Sequence, residues 1–390
     1  MEGDFIKITD WLRPFSWLYG FGVAVRNTMF EIGVLKSRSF DVPVISVGNI
    51  TIGGTGKTPH VEYLVKLLSE RFRVAVLSRG YKRKTHGFVM ADADATAATV
   101  GDEPCQMKRK FPDITVAVDK KRCRGIERLT EGENGGNIDV IILDDAFQHR
   151  YVKPGINILL VDYHRLIIYD TLLPAGRLRE PLSGKNRADI VIVTKCPAEL
   201  KPMDFRVITK AMGLYPYQHL YFTTLAYGAL RNVFTGEEKQ LESIEPDTSV
   251  LLLTGIASPR QMTYDLQAHT HNIHPLTFGD HHAFTAHDIR RINEAFAALP
   301  QGSIIITTEK DAERLRGLEG LDTAVRDNLY ALPVSIKFML GQGETFDENI
   351  KGYVFKNSRN SILAKAKDDN KPQNSNNTGD RPRTISFRNR

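Results

Sequence analysis

The residues best suited to chemistry begin at Gly53-Gly-Thr-Gly-Lys-Thr58. Glycines at 53, 54 and 56 let a backbone turn tightly and approach a ligand closely. Lys57 is a cation that can reach the β- and γ-phosphates of a nucleotide, and the Thr58 hydroxyl can hold Mg²⁺. Backbone N–H groups of Thr51, Ile52, Gly53, Gly54, Thr55 and Gly56 would cradle the anion beside a helix N-terminus. The general spacing of such a loop asks for glycine where Thr51 stands. A second constellation is the pair Asp144-Asp145. It closes the apolar run Ile138-Asp-Val-Ile-Ile-Leu143. A buried strand that delivers an acid beside a phosphate loop is the Walker B form, and Asp144 would hold Mg²⁺ directly or through water. Cationic clusters follow other apolar runs: Arg79 with Lys82, Arg83 and Lys84; Arg122 and Arg124; and Arg177 with Arg179 beside Glu180. The last suits phosphate or metal-shell work. The cationic turns could each hold a second phosphate or lie on a solvated face.

These groups need a strand before the loop and a helix after it. Val44, Ile45 and Val47 form a short apolar run of the kind a buried strand shows, and Val61, Leu64, Val65 and Leu68 recur at helical spacing. Pro59 fits the first helical turn, where its missing N–H is not needed. Further apolar runs at Val74–Leu77, Ile114–Val118, Ile156–Val161 and Ile190–Val193 continue an alternating β/α pattern. The spacing predicts a P-loop α/β/α sandwich over 41–217. An extended connector is expected at 218–230, and a smaller α/β domain over 231–345. From Lys365 the chain is too polar to offset ordering entropy, so 365–390 is expected to be disordered.

The chain has 390 residues, net charge +6 and 42% hydrophobic residues, the composition of an ordinary globular protein. The charge does not demand nucleic acid, and none is expected as a partner. Cys105, Cys123 and Cys196 form no C-x-x-C pair, which suits a reducing compartment. The histidines between His269 and His287 lack zinc-type spacing. No basic n-region opens the chain, so it is expected to remain in the cytoplasm. Residues 1–40 are unusual. Trp11, Phe15, Leu18, Val25, Met29 and Ile32 follow helical spacing, Trp17 and Phe21 widen the apolar surface, and Arg13, Arg26, Lys36 and Arg38 surround it. The apolar stretch is too short to span a bilayer. It suits an in-plane helix at a membrane surface, or a helix packed on the core. A switch GTPase would carry N-K-x-D; Thr194-Lys195-Cys196-Pro197 lacks its Asn and Asp. A kinase and a membrane-associated P-loop ATPase both remain open on these residues.

Gly48-Asn-Ile-Thr-Ile-Gly-Gly-Thr-Gly-Lys-Thr-Pro59, Leu77-Ser-Arg-Gly-Tyr81, Gly101-Asp-Glu-Pro104, Asp144-Asp-Ala-Phe-Gln-His149, Gly176-Arg-Leu-Arg-Glu-Pro181, Phe278-Gly-Asp-His281 and Thr308-Glu-Lys-Asp311 occur in that order. Together they resemble the tetraacyldisaccharide 4′-kinases of lipid A synthesis, from about residue 11 to residue 340. Thr51 is the form that family uses. Ala146 departs from it, standing where glycine is expected, and the tail is longer. The resemblance implies ATP and Mg²⁺ as cofactors and phosphorylation of the 4′-hydroxyl of an acylated disaccharide 1-phosphate. It implies an enzyme peripheral or monotopic at the cytoplasmic face of the bacterial inner membrane; a monomer is expected. It also implies Asp102 as the base assisted by His281, with Asp145 the rival base on generic P-loop logic. Lys57 would be the charge stabiliser, and Thr58, Asp144, Asp145 and Glu180 would lie around the metal. Arg79, Arg83, Arg122 and Arg124 are the expected contacts to the 1-phosphate or lipid headgroups.

Overall fold

The computed structural model describes residues 8–131, 138–256, 259–279, 282 and 284–369. The chain divides into a first unit of Met1–Arg79, Ile114–Thr224 and Phe338–Arg390, and a second of Gly80–Asp113 and Leu225–Lys337.

In the first unit the apolar runs become β1 (Val44–Gly48), β2 (Val74–Ser78), β3 (Thr115–Val118), β4 (Val140–Asp144), β5 (Ile156–Asp162), β6 (Ile190–Thr194) and β7 (His219–Tyr227). They lie in the order β7-β6-β5-β1-β4-β2-β3, each parallel to its neighbours. Parallel strands are covered on both faces and so read as continuous apolar runs. Ile45, Val47, Ile141, Ile142, Leu159 and Val191 are accordingly buried. The register sets Val47 opposite Asp144 and Ile158, so the carboxyl ends of β1, β4 and β5 share one edge. Ligands of open α/β sheets bind beyond that edge.

Two helices from the chain's ends complete this unit. Arg13–Glu31 is one helix whose buried residues are Ser16 and Phe30. Ser16 Oγ donates to the Leu172 carbonyl at 2.9 Å and accepts from the Ala175 N–H at 3.0 Å. The other face is apolar and open: Trp17, Leu18 and Phe21 are 76, 71 and 69% exposed, as is Trp11, at 73%, in the turn just before the helix. Among the described residues, no helix is long and apolar enough to cross a membrane. At the other end, Gly343–Asp369 is a helix. Phe346, Ile350 and Val354 are buried, and the Tyr63 hydroxyl donates to Asp347 Oδ1 at 2.8 Å. This corrects two expected boundaries. The helix runs past residue 345, and its backbone continues through 365–369, where a disordered tail was expected to start. Residues 370–390 lie outside the described residues.

The second unit holds β8 (Leu230–Asn232), β9 (Glu238–Lys239), β10 (Val250–Thr254), β11 (Ile273–Thr277), β12 (Ile304–Thr308) and β13 (Leu329–Leu332). Their order is β9-β8-β13-β12-β10-β11. The strands β10 to β13 pair in parallel, whereas β8 and β9 run antiparallel. Residues 80–113 belong here, so the expected P-loop segment 41–217 is not continuous in space. The helix Asp102–Lys110 packs on the helix Glu309–Arg316, through Lys110 Nζ to Glu309 Oε1 at 2.9 Å and Lys310 Nζ to Glu103 Oε1 at 3.6 Å. The segment 218–230 also differs from a plain connector: most of it is β7, and His219 pairs with Ile190 of β6.

Candidate active site

The glycine loop leaves β1 and is shaped by two left-handed residues, Gly53 at φ 119° and Gly56 at φ 78°. Gly56 is the N-cap of the helix Lys57–Ser69. Its left-handed backbone brings loop and helix end together, a conformation that favours glycine. The outer arm is anchored. Thr51 is bridged to Leu178, and the Ile52 N–H donates to the Arg177 carbonyl at 2.8 Å. That amide is therefore occupied, which corrects the expectation that Ile52 donates to phosphate; Thr51 and Ile52 serve as the loop's anchor. Inside the loop, Asn49 Nδ2 donates to the buried Thr55 Oγ1 at 2.9 Å. Thr58 is half-buried in the helix's first turn.

Two acids arrive on the adjacent strand. Asp144 ends β4 and is buried. Asp145 takes a left-handed backbone, φ 48°, and its Oδ1 lies 3.5 Å from Lys57 Nζ. The close approach of the β4 turn to β1 explains Gly48. A Cβ there would meet the Phe147 nitrogen at 2.7 Å. Glu180 is 1% exposed. Its Oε2 accepts from Arg187 Nη2 at 2.6 Å, and its Oε1 is buried with no hydrogen-bond partner. Among the described residues no three His, Cys, Asp or Glu side chains converge as a metal set. Asp145 turns to Lys57 and Glu180 to Arg187. The donor chemistry still fits Mg²⁺, which uses one or two carboxylates and completes its shell with water and substrate phosphate. The orphaned Glu180 oxygen is of that hard type.

The arginines divide. Arg79 is exposed at the carboxyl end of β2. Arg122 is 2% exposed and hydrogen-bonds through Nη1 to the Asp119 carbonyl at 3.2 Å and through Nη2 to the Asp144 carbonyl at 3.4 Å. Burial lowers its pKa to about 10, opposed by Asp144 and Asp145. Arg124 forks onto the buried Asp119 at 2.7 and 2.9 Å. Arg122 is thus an internal clamp, its guanidinium turned to backbone carbonyls rather than outward, whereas Arg124 grips Asp119 from an exposed position. Arg83 lies in the second unit and bonds the Gly87 carbonyl.

Asp102 also lies in the second unit, at the start of its helix. Gly101 before it has φ 98°, and a Cβ there would meet the Tyr81 carbonyl at 3.0 Å. Arg314 Nε donates to Asp102 Oδ2 at 3.0 Å, and Arg314 Nη1 donates to Asp311 Oδ1 at 2.8 Å. Asp311, fully buried, accepts from the Gly255 N–H and the Thr308 hydroxyl, each at 2.8 Å. The Thr308-Glu-Lys-Asp311 motif is therefore the anchor of the arginine that holds Asp102. His281 lies outside the described residues.

Sequence reasoning missed Arg314, Arg187, His60 and the role of Lys195. Arg314 follows Asp311 at i+3, a helical pairing signal. His60 gave no signal, because a histidine in a helix resembles any other polar residue.

A parallel sheet whose central strand feeds a glycine loop and helix N-terminus, with paired aspartates on the next strand, defines a P-loop kinase fold. The family model for tetraacyldisaccharide-1-P 4′-kinase matches residues 8–354. The chain belongs to that family. A protein of Phocaeicola vulgatus named tetraacyldisaccharide 4′-kinase is 59% identical, over 93% of this chain and 99% of its own. One of the same name from Bacteroides fragilis is 54% identical, over 95% of this chain and 100% of its own. Among solved structures, the "apo" form of LpxK from Aquifex aeolicus in complex with ATP has a TM-score of 0.67. It is 29% identical, over 88% of this chain and 99% of that one.

Proposed function

We propose that this chain transfers the γ-phosphoryl group of ATP to the 4′-hydroxyl of a tetraacylated glucosamine disaccharide 1-phosphate, at the cytoplasmic face of the inner membrane. The observation that carries the reading is the phosphate loop with Lys57 and Asp145 facing each other at 3.5 Å, in a chain of this family. Lys57 and the loop N–H groups stabilise charge on the transferring group, which is most of what an enzyme must do in phosphoryl transfer. Thr58 and Asp144, with Asp145 and Glu180 near, would hold Mg²⁺; when bound, the ion neutralises phosphate charge and orients it. Asp102 accepts the proton of the sugar hydroxyl, with His281 assisting. Arg314 fixes the Asp102 carboxylate in one orientation. Arg79 and Arg83 remain the cations proposed for the 1-phosphate.

The membrane-surface reading is supported by the open aromatic face of the Arg13–Glu31 helix. Apolar side chains on such a face enter the headgroup boundary. The helix is tied to the site. The Tyr19 hydroxyl donates to the Arg179 carbonyl at 2.9 Å, and Arg26 Nη2 donates to the Gln148 carbonyl at 3.1 Å. A substrate with several acyl chains would not readily leave its bilayer, since each buried CH₂ contributes about 0.8 kcal/mol.

The test follows label from γ-labelled ATP in detergent micelles with and without the acylated disaccharide 1-phosphate. Label is expected in the lipid, dependent on Mg²⁺ and lost in Lys57→Ala. Asp102→Ala should lower turnover by about 10²–10⁴-fold, the contribution of a general base. Label released only as free phosphate, at a rate indifferent to lipid, would instead favour an ATPase. Near-normal turnover of Asp102→Ala would shift the base to Asp145.

A further inference from the structure

Thr194-Lys195-Cys196-Pro197 follows β6 where a GTPase would read its base, yet lacks the side chains to do so. The geometry gives it other work. Thr194 Oγ1 donates to the Thr55 carbonyl at 3.0 Å, the nearer of two carbonyls it faces, the other being Val161 at 3.3 Å, and Lys195 Nζ donates to the Gly54 carbonyl. From the loop's own helix, His60 Nδ1 lies 2.7 Å from the Gly56 carbonyl. Consecutive carbonyls at 54, 55 and 56 are thus each met by a side-chain donor.

We propose that Thr194, Lys195 and His60 form a clamp on the carbonyl side of the phosphate loop, positioning its N–H side for a nucleotide's phosphates. The peptide unit is planar and trans, so its C=O and N–H point opposite ways. Fixing the carbonyls of Gly54, Thr55 and Gly56 therefore aims the N–H groups of Thr55, Gly56 and Lys57. Each clamp residue is itself held. Lys195 sits at φ 57°, and its Nζ also meets Asp162 Oδ2 at 2.8 Å; Asp162 Oδ1 accepts the His164 N–H at 2.9 Å. Thr194 is fully buried. His60 is 3% exposed, and its Nε2 lies 3.0 Å from Thr223 Oγ1. A carbonyl can only accept, so Nδ1 carries the proton and Nε2 accepts from the Thr223 hydroxyl. Burial lowers the His60 pKa to about 4, which keeps that tautomer uncharged near neutrality. These are positioning residues; none touches phosphate.

The inference rests on the nucleotide reading above, and the experiment separates the two. Titration calorimetry with Mg²⁺ and β,γ-imido-ATP measures phosphate binding without the lipid. Urea midpoints of the full chain measure structure alone. His60→Leu, Thr194→Val and Lys195→Met should each weaken binding by about tenfold, on the scale of one positioned hydrogen bond. His60→Gln, which keeps a donor and an acceptor, should stay within about threefold. Thr194→Val against His60→Gln decides the matter even if His60→Leu does not fold. Lowered urea midpoints with unchanged affinity across the set would overturn the clamp and leave the nucleotide reading intact. An unsubstituted chain that does not bind the analogue would overturn both.

Discussion

At the scale of single residues, the site is built from side chains that other side chains hold. Asp102 is held by Arg314, Arg314 by Asp311, and Asp311 by the Gly255 amide and Thr308. His60 offers the cleanest solution test, because its imidazole is buried and uncharged. Its folded pKa, about 4, lies below the ordinary 6.5. The unfolded chain therefore binds the extra proton between those values, so stability rises with pH across that window. The contribution is complete above about pH 6.5 and is lost as pH falls toward about 4, by up to roughly 3 kcal/mol. The stability gap between the natural chain and His60→Leu, measured in urea, should narrow over that range. A gap that stays constant from about pH 7 to about pH 4 would contradict a buried neutral imidazole. The loop, Lys57 and the paired aspartates were legible in the sequence because their chemistry fixes both residue type and local spacing. The holders were not. Lys195 and Gly54 meet only after strands far apart in sequence are laid side by side, and Arg187 reaches Glu180, seven residues earlier, only because Leu182–Arg187 coils into a short helix.

At the scale of elements, strand runs were legible because burial on both faces forces continuous apolar residues, as in Val140–Leu143. Boundaries were less so. The helix Gly343–Asp369 carries its apolar residues at Phe346, Ile350 and Val354. That spacing of four is a helical signal. It is diluted by the polar residues between. The N-terminal helix poses the opposite case, with too much apolar surface for its contacts. Its hold on the unit comes from small polar contacts and from Phe30, on which Arg26 and Arg150 lie at 5.4 and 5.0 Å. Its outer rings contribute little to folding. Trp17→Glu should leave the unfolding free energy, measured in urea, within about 0.5 kcal/mol, as surface changes do. Binding to vesicles of anionic lipid, followed by co-sedimentation, should fall by about tenfold or more, the worth of one buried aromatic side chain. Unchanged vesicle binding would remove this face from the membrane reading.

At the scale of the whole molecule, the chain visits each unit more than once. The first unit takes its sheet from before and after the 80–113 excursion, and its last helix from beyond Lys337. Sequence reading placed the boundaries along a line and could not show that residues 80–113 join 225–337. Deleting residues 341–390 should cost the first unit much of its stability. Phe346 alone is 1% exposed, and losing a buried aromatic costs roughly 3–5 kcal/mol. Hydrogen exchange should then speed up in β1 and β5, beside Gly155, where Tyr353 packs, while β10 and β12 keep their protection. Equal acceleration in both sheets would contradict that division. Biosynthesis meets the same arrangement in time. When the ribosome has released Lys337, every segment of the second unit has been made. The glycine loop, made long before, still waits in a layer that lacks its closing helix. Nascent chains of this protein must therefore carry exposed parallel strands until the helix Gly343–Asp369 has been made, and that interval is when a chaperone would be needed.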